Sequence, residues 1–388
     1  MDEEEKNIEE EKIDNNPLKT PKTEQKISYK NIFYAIFISV VVMLAIFAFL
    51  GKDLKLSYFL ELSWYWILGT VGLLIGAHSI NALRIVLLFR IFGIKFRFRD
   101  AFVNNFLMQY FNNITPLAVG GQPYQVYDLT ARGINLTTAA AVIVSRYVTT
   151  NIAIIIVAMI FLPQYWRAFL NIPGIGIFVF FGAFMSFAML FLLATVSYSQ
   201  KMLNILLKLL TKRKFMRKLL SKFLKCRPLD VREILREKFQ EFHKYMLIIW
   251  RKSPLSMILD IFLAISFSFV FKFILYFVLV GIVNSSGATL NASLIDVWGI
   301  QELLYLVAYY VPSPGASGAM EAGLFFMLGG SVSKSLLGVG IAIWRIITYH
   351  LIIIVGTIAF LGVKKLRNYN YEETYKQDLH DGGPDNNE

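Results

Sequence analysis

A run of prolines and glycines inside an apolar region constrains this chain more than any other feature. Residues 309–330 read YYVPSPGASGAMEAGLFFMLGG. Because the interior of a bilayer cannot satisfy free backbone amides and carbonyls, such a break must be buried in protein or line a wet cavity. The stretch is therefore a candidate site. Its backbone-breaking residues and the acid that follows them are Pro312, Pro314, Gly315, Gly318 and Glu321.

A second broken stretch of the same character lies in the first half of the chain. Residues 112–133 read NNITPLAVGGQPYQVYDLTARG. Two interrupted segments at corresponding places in two halves are a sequence signature of a transporter's binding site. The candidate residues here are Gly120, Gly121, Gln122, Pro123 and Gln125.

The composition supports a polytopic membrane protein. The chain is 56% hydrophobic and only 17% charged, with a mean hydropathy of +0.54, which is too apolar for an ordinary soluble domain. The net charge of +12 lies between apolar spans, so it favours an anionic lipid surface over nucleic acid. The lone Cys226 excludes an internal disulfide and a cysteine-rich metal cluster. We expect no metal and no cofactor.

Hydropathy predicts an all-α protein with about six full transmembrane helices and two re-entrant or broken helical hairpins. A disordered tail (1–30) precedes a first membrane repeat (31–198), a basic amphipathic linker (199–252), a second repeat (253–363) and a polar tail (364–388). The expected spans are 32–50, 64–89, 138–162, 175–196, 255–283 and 336–361. A neutral loop with Pro163, Trp166 and Pro173 is expected after the third span.

The distribution of basic residues predicts the topology. Six spans place residues 90–99, 199–252 and 364–367 on one side, and all three segments are basic. The positive-inside rule makes that side cytoplasmic, with both termini there. Residues 199–252 have leucines at helical spacing, which predicts a helix lying on the anionic membrane surface. We expect the protein in the plasma membrane.

The chain also contains a weak internal repeat. SRYVTTNI aligns with WRIITYHL, which matches Arg146 to Arg345, and at the same offset Gln122 falls on Glu321. Three full spans would separate the two broken stretches, and an odd number reverses their orientation. We therefore predict an inverted repeat, the arrangement of alternating-access carriers.

Charged groups at membrane depth are the strongest functional candidates. A lone carboxylate or guanidinium there costs at least roughly 2.5–3.5 kcal/mol on insertion scales, so each needs a partner. Glu321 is expected to pair with Arg345 or Arg146, and opening of that pair would expose a cation to a phosphate. The alternative is that the pair only locks helices together. Close to Glu321 we find no second acid in the apolar body except Asp296.

Other polar groups are weaker candidates. The glycines of both breaks would let backbone amides approach an anionic headgroup, or would only permit close packing. Arg84 shares a helical face with His78 and Asn81 that should look into the bundle, with structural pairing as the alternative. Tyr349 and His350, one turn past Arg345, are candidates for a proton relay or for a buried structural role.

The two broken stretches also carry a resemblance. TPLAVGGQPYQ and PSPGASGAMEAGL resemble the paired signatures of the lysylphosphatidylglycerol synthase transmembrane-region family, which is also described as the flippase-like UPF0104 membrane family. The second motif fits through Pro312, Pro314, Gly315, Gly318 and Glu321. The first departs, with Gln122 where an acid is usual and Gln125 where a basic residue is usual.

The resemblance implies a membrane domain that moves aminoacylated phosphatidylglycerol, or another lipid-linked headgroup, between leaflets. We expect it to act without the soluble aminoacyltransferase domain of lysyl-lipid synthases, with a separate soluble synthase as a conceivable partner. The favoured function is a lipid flippase or carrier and not an enzyme. The alternatives are an intramembrane enzyme acting on lipid headgroups, for which no catalytic motif is found, and a non-catalytic partner subunit.

Overall fold

The computed structural model describes residues 62–362 except 172–174, 225–226, 228, 309 and 312, together with the isolated residues Phe33, Phe37 and Val41. Its regular elements in this part of the chain are helices, with no strand. The predicted all-α membrane fold is confirmed. Apart from those three isolated residues, the expected span 32–50 lies outside the described part of the chain, as do both polar tails.

The first half of the described chain forms five helices. A short 3₁₀ turn, Pro116–Ala118, separates the second helix from the third. The helices are α1 (Trp64–Arg90), α2 (Phe98–Ile114), α3 (Gly121–Ala131), α4 (Leu136–Asn171) and α5 (Ile175–Tyr198).

The second half begins with three basic helices and continues into the bundle. A 3₁₀ turn, Pro314–Ala316, precedes α11, and π-helical turns follow α8 and α12 at Ile248–Lys252 and Ile346–His350. The helices are α6 (Gln200–Lys212), α7 (Lys214–Leu224), α8 (Val231–Leu247), α9 (Pro254–Ser286), α10 (Leu294–Ala308), α11 (Ala319–Met327), α12 (Lys334–Arg345) and α13 (Leu351–Gly362).

Four of these segments are long and apolar enough to cross a membrane: Trp64–Arg90, Leu136–Arg167, Pro254–Ser286 and Lys334–Gly362. They cover the predicted spans 64–89, 138–162, 255–283 and 336–361. The last one joins α12 and α13 through the π-helical turn. Predicted span 175–196 coincides with helix α5.

The predicted loop around Pro163 and Trp166 was wrong, since α4 continues through both residues to Asn171. Proline removes one helical hydrogen bond but is tolerated in membrane helices, where neighbouring groups satisfy the freed carbonyl. Here the Tyr165 hydroxyl donates to Asp296 of α10, and Phe161 packs edge-on against Trp298. These contacts attach the end of α4 to α10. Pro173 lies outside the described residues.

The basic segment 199–252 is not one surface helix but three, followed by a π-helical turn. The first break falls at Arg213, which has extended backbone angles (φ −90°, ψ 130°). The third helix, α8, packs on the bundle: Val231 and Met246 are buried, and Glu241 accepts a hydrogen bond from Thr137 of α4 at 2.8 Å. The surface-helix prediction failed here because the apolar face of α8 is buried against protein. Hydropathy cannot distinguish such a face from one that faces lipid.

The bundle is organised around α9, which packs along α1 and against α4 and α12. Its start and end follow from local sequence. Pro254 occupies the first helical turn, where its missing amide is not needed. Gly287 ends the helix in the left-handed region (φ +67°) and donates to the carbonyl of Val283.

The two 3₁₀ turns have nearly the same backbone. Leu117 and Ala118 have φ of 57° and 51°, and Gly315 and Ala316, 198 residues later, have φ of 57° and 54°. The turns also pack against each other. This shared geometry supports the predicted internal repeat, and the orientation of the copies relative to a membrane stays a prediction.

Candidate functional site

A cavity opens between the two turns and the long helices around them. Both repeats contribute to its wall, through α2 and α4 from the first and α9 and the turn at Pro314–Ala316 from the second. The empty space between its lining residues, including the open mouth, is about 1430 Å³.

Glu321 pairs with Arg345, the first of the two partners expected for it. Both are buried, and the Nε of Arg345 lies 2.7 Å from Oε1 of Glu321. The other carboxylate oxygen accepts from the backbone amide of Gly318 at 2.8 Å. Glu321 therefore neutralises the arginine and also satisfies an amide at the start of α11.

Arg345 also holds the second turn in place. Its Nη2 donates to the carbonyl of Gly315 at 2.8 Å and to Oγ of Ser317 at 2.7 Å. The guanidinium stacks over the ring of Tyr349, 4.3 Å from the centroid. Tyr349 in turn donates to the carbonyl of Asn113 at 3.1 Å, which connects this cluster to the first repeat. Arg345 lines the cavity, and its Nε and Nη2 are bonded within the protein.

Arg146 occupies the equivalent place in the first repeat and has different partners. Its Nη2 donates to Oδ1 of Asn105 at 2.6 Å, and its Nη1 to Oε1 of Gln125 at 3.3 Å. Its Nε has no hydrogen-bond partner, although the residue is buried on the cavity wall. Neither partner is charged, so Arg146 is not paired with Glu321 or with any other described carboxylate.

The remaining buried arginines and lysine of the described chain each have a carboxylate partner. Arg84 binds both oxygens of Asp260, with its Nε 2.9 Å from Oδ1. Arg132 lies 2.9 Å from Asp128. The Nζ of Lys272 contacts Oε2 of Glu302 and donates to Oγ of Ser268 at 2.7 Å.

The prediction that Arg84, His78 and Asn81 face the bundle interior is confirmed, since all three are buried. Arg84 has the structural pairing given as the alternative: besides Asp260 it donates to Asn81 at 2.9 Å. His78 contacts the amide of Asn105 at 3.0 Å. Asn105 therefore bridges His78 and Arg146.

The structure places the remaining predicted site residues in different environments. Gln122 and Gln125 line the cavity, whereas Pro123 is exposed. The amides of Gly120, Gly121 and Gly318 donate to Thr115, Asn112 and Glu321, so none of the three is available to a ligand in this conformation. His350 is half-buried, with its Nδ1 3.3 Å from the carbonyl of Arg345. Pro312 lies outside the described residues.

Asp296 was the one second acid predicted in the apolar body close to Glu321, and two buried acids of that body were missed. Asp296 binds Tyr165 and Ser293 at the rim of the helices. Asp260 and Glu302 are fully buried and hold the cations described above. The sequence contained a signal for these two acids, because an acid inside an apolar span is rare and implies a partner. Asp260 in MILDIFLA and Glu302 in GIQELLY satisfied that criterion.

These helices and this cavity define an all-helical membrane protein with a buried polar centre. A sequence profile of the lysylphosphatidylglycerol synthase transmembrane region matches residues 32–356. The chain belongs to that family. It is also similar to a UPF0104 membrane protein of Archaeoglobus fulgidus, with 24% identity over 341 residues that cover 84% of this chain and 94% of the relative.

Proposed function

We propose that the protein is a lipid carrier, which moves a phospholipid headgroup between leaflets through the central cavity while the acyl chains stay in the bilayer. The family indicates a role in lipid handling. The environment of Arg146 is the observation that supports transport of a lipid headgroup. Arg146 is a buried cation on the wall of the central cavity, and its side-chain hydrogen bonds among the described residues go only to neutral amides.

A phosphate is the ligand that this arginine fits. A guanidinium at membrane depth is costly, at least roughly 2.5–3.5 kcal/mol on insertion scales, and an anion that pairs directly with Arg146 in the cavity lowers that cost. The planar fork of arginine binds phosphate oxygens through paired hydrogen bonds. Bound phosphate and Arg146 together would then be neutral or nearly so, which suits passage of the headgroup through an apolar environment.

Transfer of acyl-labelled phosphatidylglycerol in proteoliposomes tests this function. Dithionite reduces fluorophores in the outer leaflet, so the protected fraction reports movement between leaflets. We expect the protected fraction to fall faster and further with the protein than in protein-free vesicles. Equal curves in both vesicle preparations would contradict the proposal. Mass spectrometry of the recovered lipid separates transport from the enzymatic alternative, since a carrier leaves the headgroup unmodified.

A further inference from the structure

The wall of the cavity is rich in amide side chains, and this bears on which phospholipid enters. The amides that line it are Asn81, Gln109, Asn112, Asn113, Gln122, Gln125 and Asn151. An amide both donates and accepts hydrogen bonds, as a hydroxyl group does. A wall of this kind matches a headgroup with several hydroxyls.

Several of these amides have unused hydrogen-bonding capacity. The buried Nδ2 of Asn113 has no partner, although its Oδ1 accepts from Gln109 at 3.0 Å. The side chain of Gln122 lies half-exposed at the cavity, with no hydrogen bond to another side chain among the described residues. The Nδ2 of Asn151 donates a hydrogen bond to the carbonyl of Tyr147 at 2.8 Å. Free donors and acceptors on the wall favour a ligand that supplies hydroxyls, because an unpaired buried polar group is unfavourable.

The charges on the wall argue against an amine. The charged side chains that line the cavity in the described chain are Arg146, Lys272 and Arg345, and no aspartate or glutamate is among them. Glu302 and Glu321 are already paired with the wall residues Lys272 and Arg345. An ammonium group entering this cavity would meet cations without a free carboxylate.

We infer that the preferred substrate is a phospholipid whose phosphate carries a neutral polyhydroxyl headgroup, such as glycerol or inositol, and not one that carries an amine. The phosphate binds Arg146, and the hydroxyls bind the amides of Asn113, Gln122 and Asn151. This inference rests on the proposed carrier function and specifies its substrate class.

A panel of acyl-labelled lipids in the same proteoliposomes tests the inference. We expect phosphatidylinositol and phosphatidylglycerol to move at least about tenfold faster than phosphatidylethanolamine and lysyl-phosphatidylglycerol, the equivalent of one or two hydrogen bonds. Amine lipids moving as fast as the polyol lipids would overturn the inference while leaving the carrier function standing. No movement of any lipid would overturn both.

Substitution of amide residues on the cavity wall tests which side chains recognise the hydroxyl groups. Gln122→Leu and Asn113→Leu should each slow phosphatidylinositol about fivefold and leave phosphatidic acid, which has no hydroxylated headgroup, unchanged. Asn204→Ala, at an exposed position on α6, is the matched control and should change neither. Gln122 is half-exposed, so its variant stays informative if Asn113→Leu does not fold. Equal slowing of both lipids would contradict recognition of the hydroxyls.

A soluble polyol phosphate carries the same phosphate and hydroxyl groups as the proposed lipid. A separate experiment distinguishes the two ligands. Radiolabelled glycerol 3-phosphate is added outside the vesicles, and its accumulation inside is measured. We expect no accumulation above protein-free vesicles. Accumulation of glycerol 3-phosphate with no movement of labelled lipid would assign the site to a soluble ligand and overturn the lipid inference.

Discussion

Two arginines at equivalent positions of the repeat have opposite environments. Arg345 is neutralised by Glu321 and fixes a turn, whereas Arg146 is bonded to neutral amides. Glu321 is the third residue of α11, and the third residue of α3 is Pro123, which has no carboxylate. Arg146 therefore lacks the partner that Arg345 has.

Removing Glu321 should destabilise the fold as well as affect transport. Breaking one partner of a buried ion pair costs roughly 3–5 kcal/mol, because the other charge stays buried. We expect Glu321→Gln to lower the melting temperature of the detergent-purified protein clearly. The double variant Glu321→Gln with Arg345→Gln should lose less stability than the sum of the single variants. Additive losses would show that the two side chains are not coupled.

Glycine is required at position 315 because the backbone there is left-handed and because a side chain would collide with Tyr349. Its φ is +57°, and a Cβ there would lie 2.2 Å from Cε2 of Tyr349. We expect Gly315→Ala to destabilise the protein by about 1–3 kcal/mol, measured by thermal unfolding. Gly72→Ala is the control, since a Cβ at that position meets nothing within 4 Å. Equal melting temperatures for the two variants would contradict this account of the turn.

At the level of elements, the two turns have the same backbone but different residues at the strained position. Leu117 adopts the left-handed conformation that glycine has at Gly315. Left-handed backbone costs roughly 1–2 kcal/mol for a residue other than glycine. At this position the first repeat retains strain that the second lacks, whereas the alanine that follows has a positive φ in both turns.

Leu117→Gly should therefore stabilise the protein by up to about 1 kcal/mol, after allowance for the greater freedom of glycine in the unfolded chain. Leu117 is 44% exposed, so little packing is lost. Val119→Gly, in the same loop but with φ −85°, relieves no strain and should destabilise. Thermal unfolding of both variants checks the difference. A loss of stability in Leu117→Gly equal to that in Val119→Gly would refute the argument.

Element positions were largely predictable from hydropathy, but the partners of charged groups were not. Residues 255–283 are apolar enough to predict α9 closely. The pairing of Arg84 with Asp260 joins residues 176 positions apart. No local pattern specifies such a contact, which depends on how α1 and α9 pack. The Glu321–Arg345 pair was predictable because both residues lie in the same repeat, one helix apart.

At the scale of the whole molecule, helix packing converts two interrupted segments into one polar centre. The two turns contact each other, and the cavity lies between them and the long helices. Five ion pairs join the buried lysine and arginines other than Arg146 to carboxylates in the described chain, two of them at Arg132. Arg146 is the buried cation of that part without such a pair, and it faces the cavity, which is why we place an anion there.

The rate of phosphatidylglycerol transfer by Arg146 variants tests this account most directly. Arg146→Gln should lose at least about tenfold in initial rate, because a charged hydrogen bond to phosphate contributes roughly 1.5–3 kcal/mol. Arg146→Lys, which keeps the charge but not the planar fork, should retain an intermediate rate. Lys208→Gln, at an exposed basic position on α6, should match the unaltered protein. An Arg146→Gln protein that folds and transfers lipid at the unaltered rate would contradict the account.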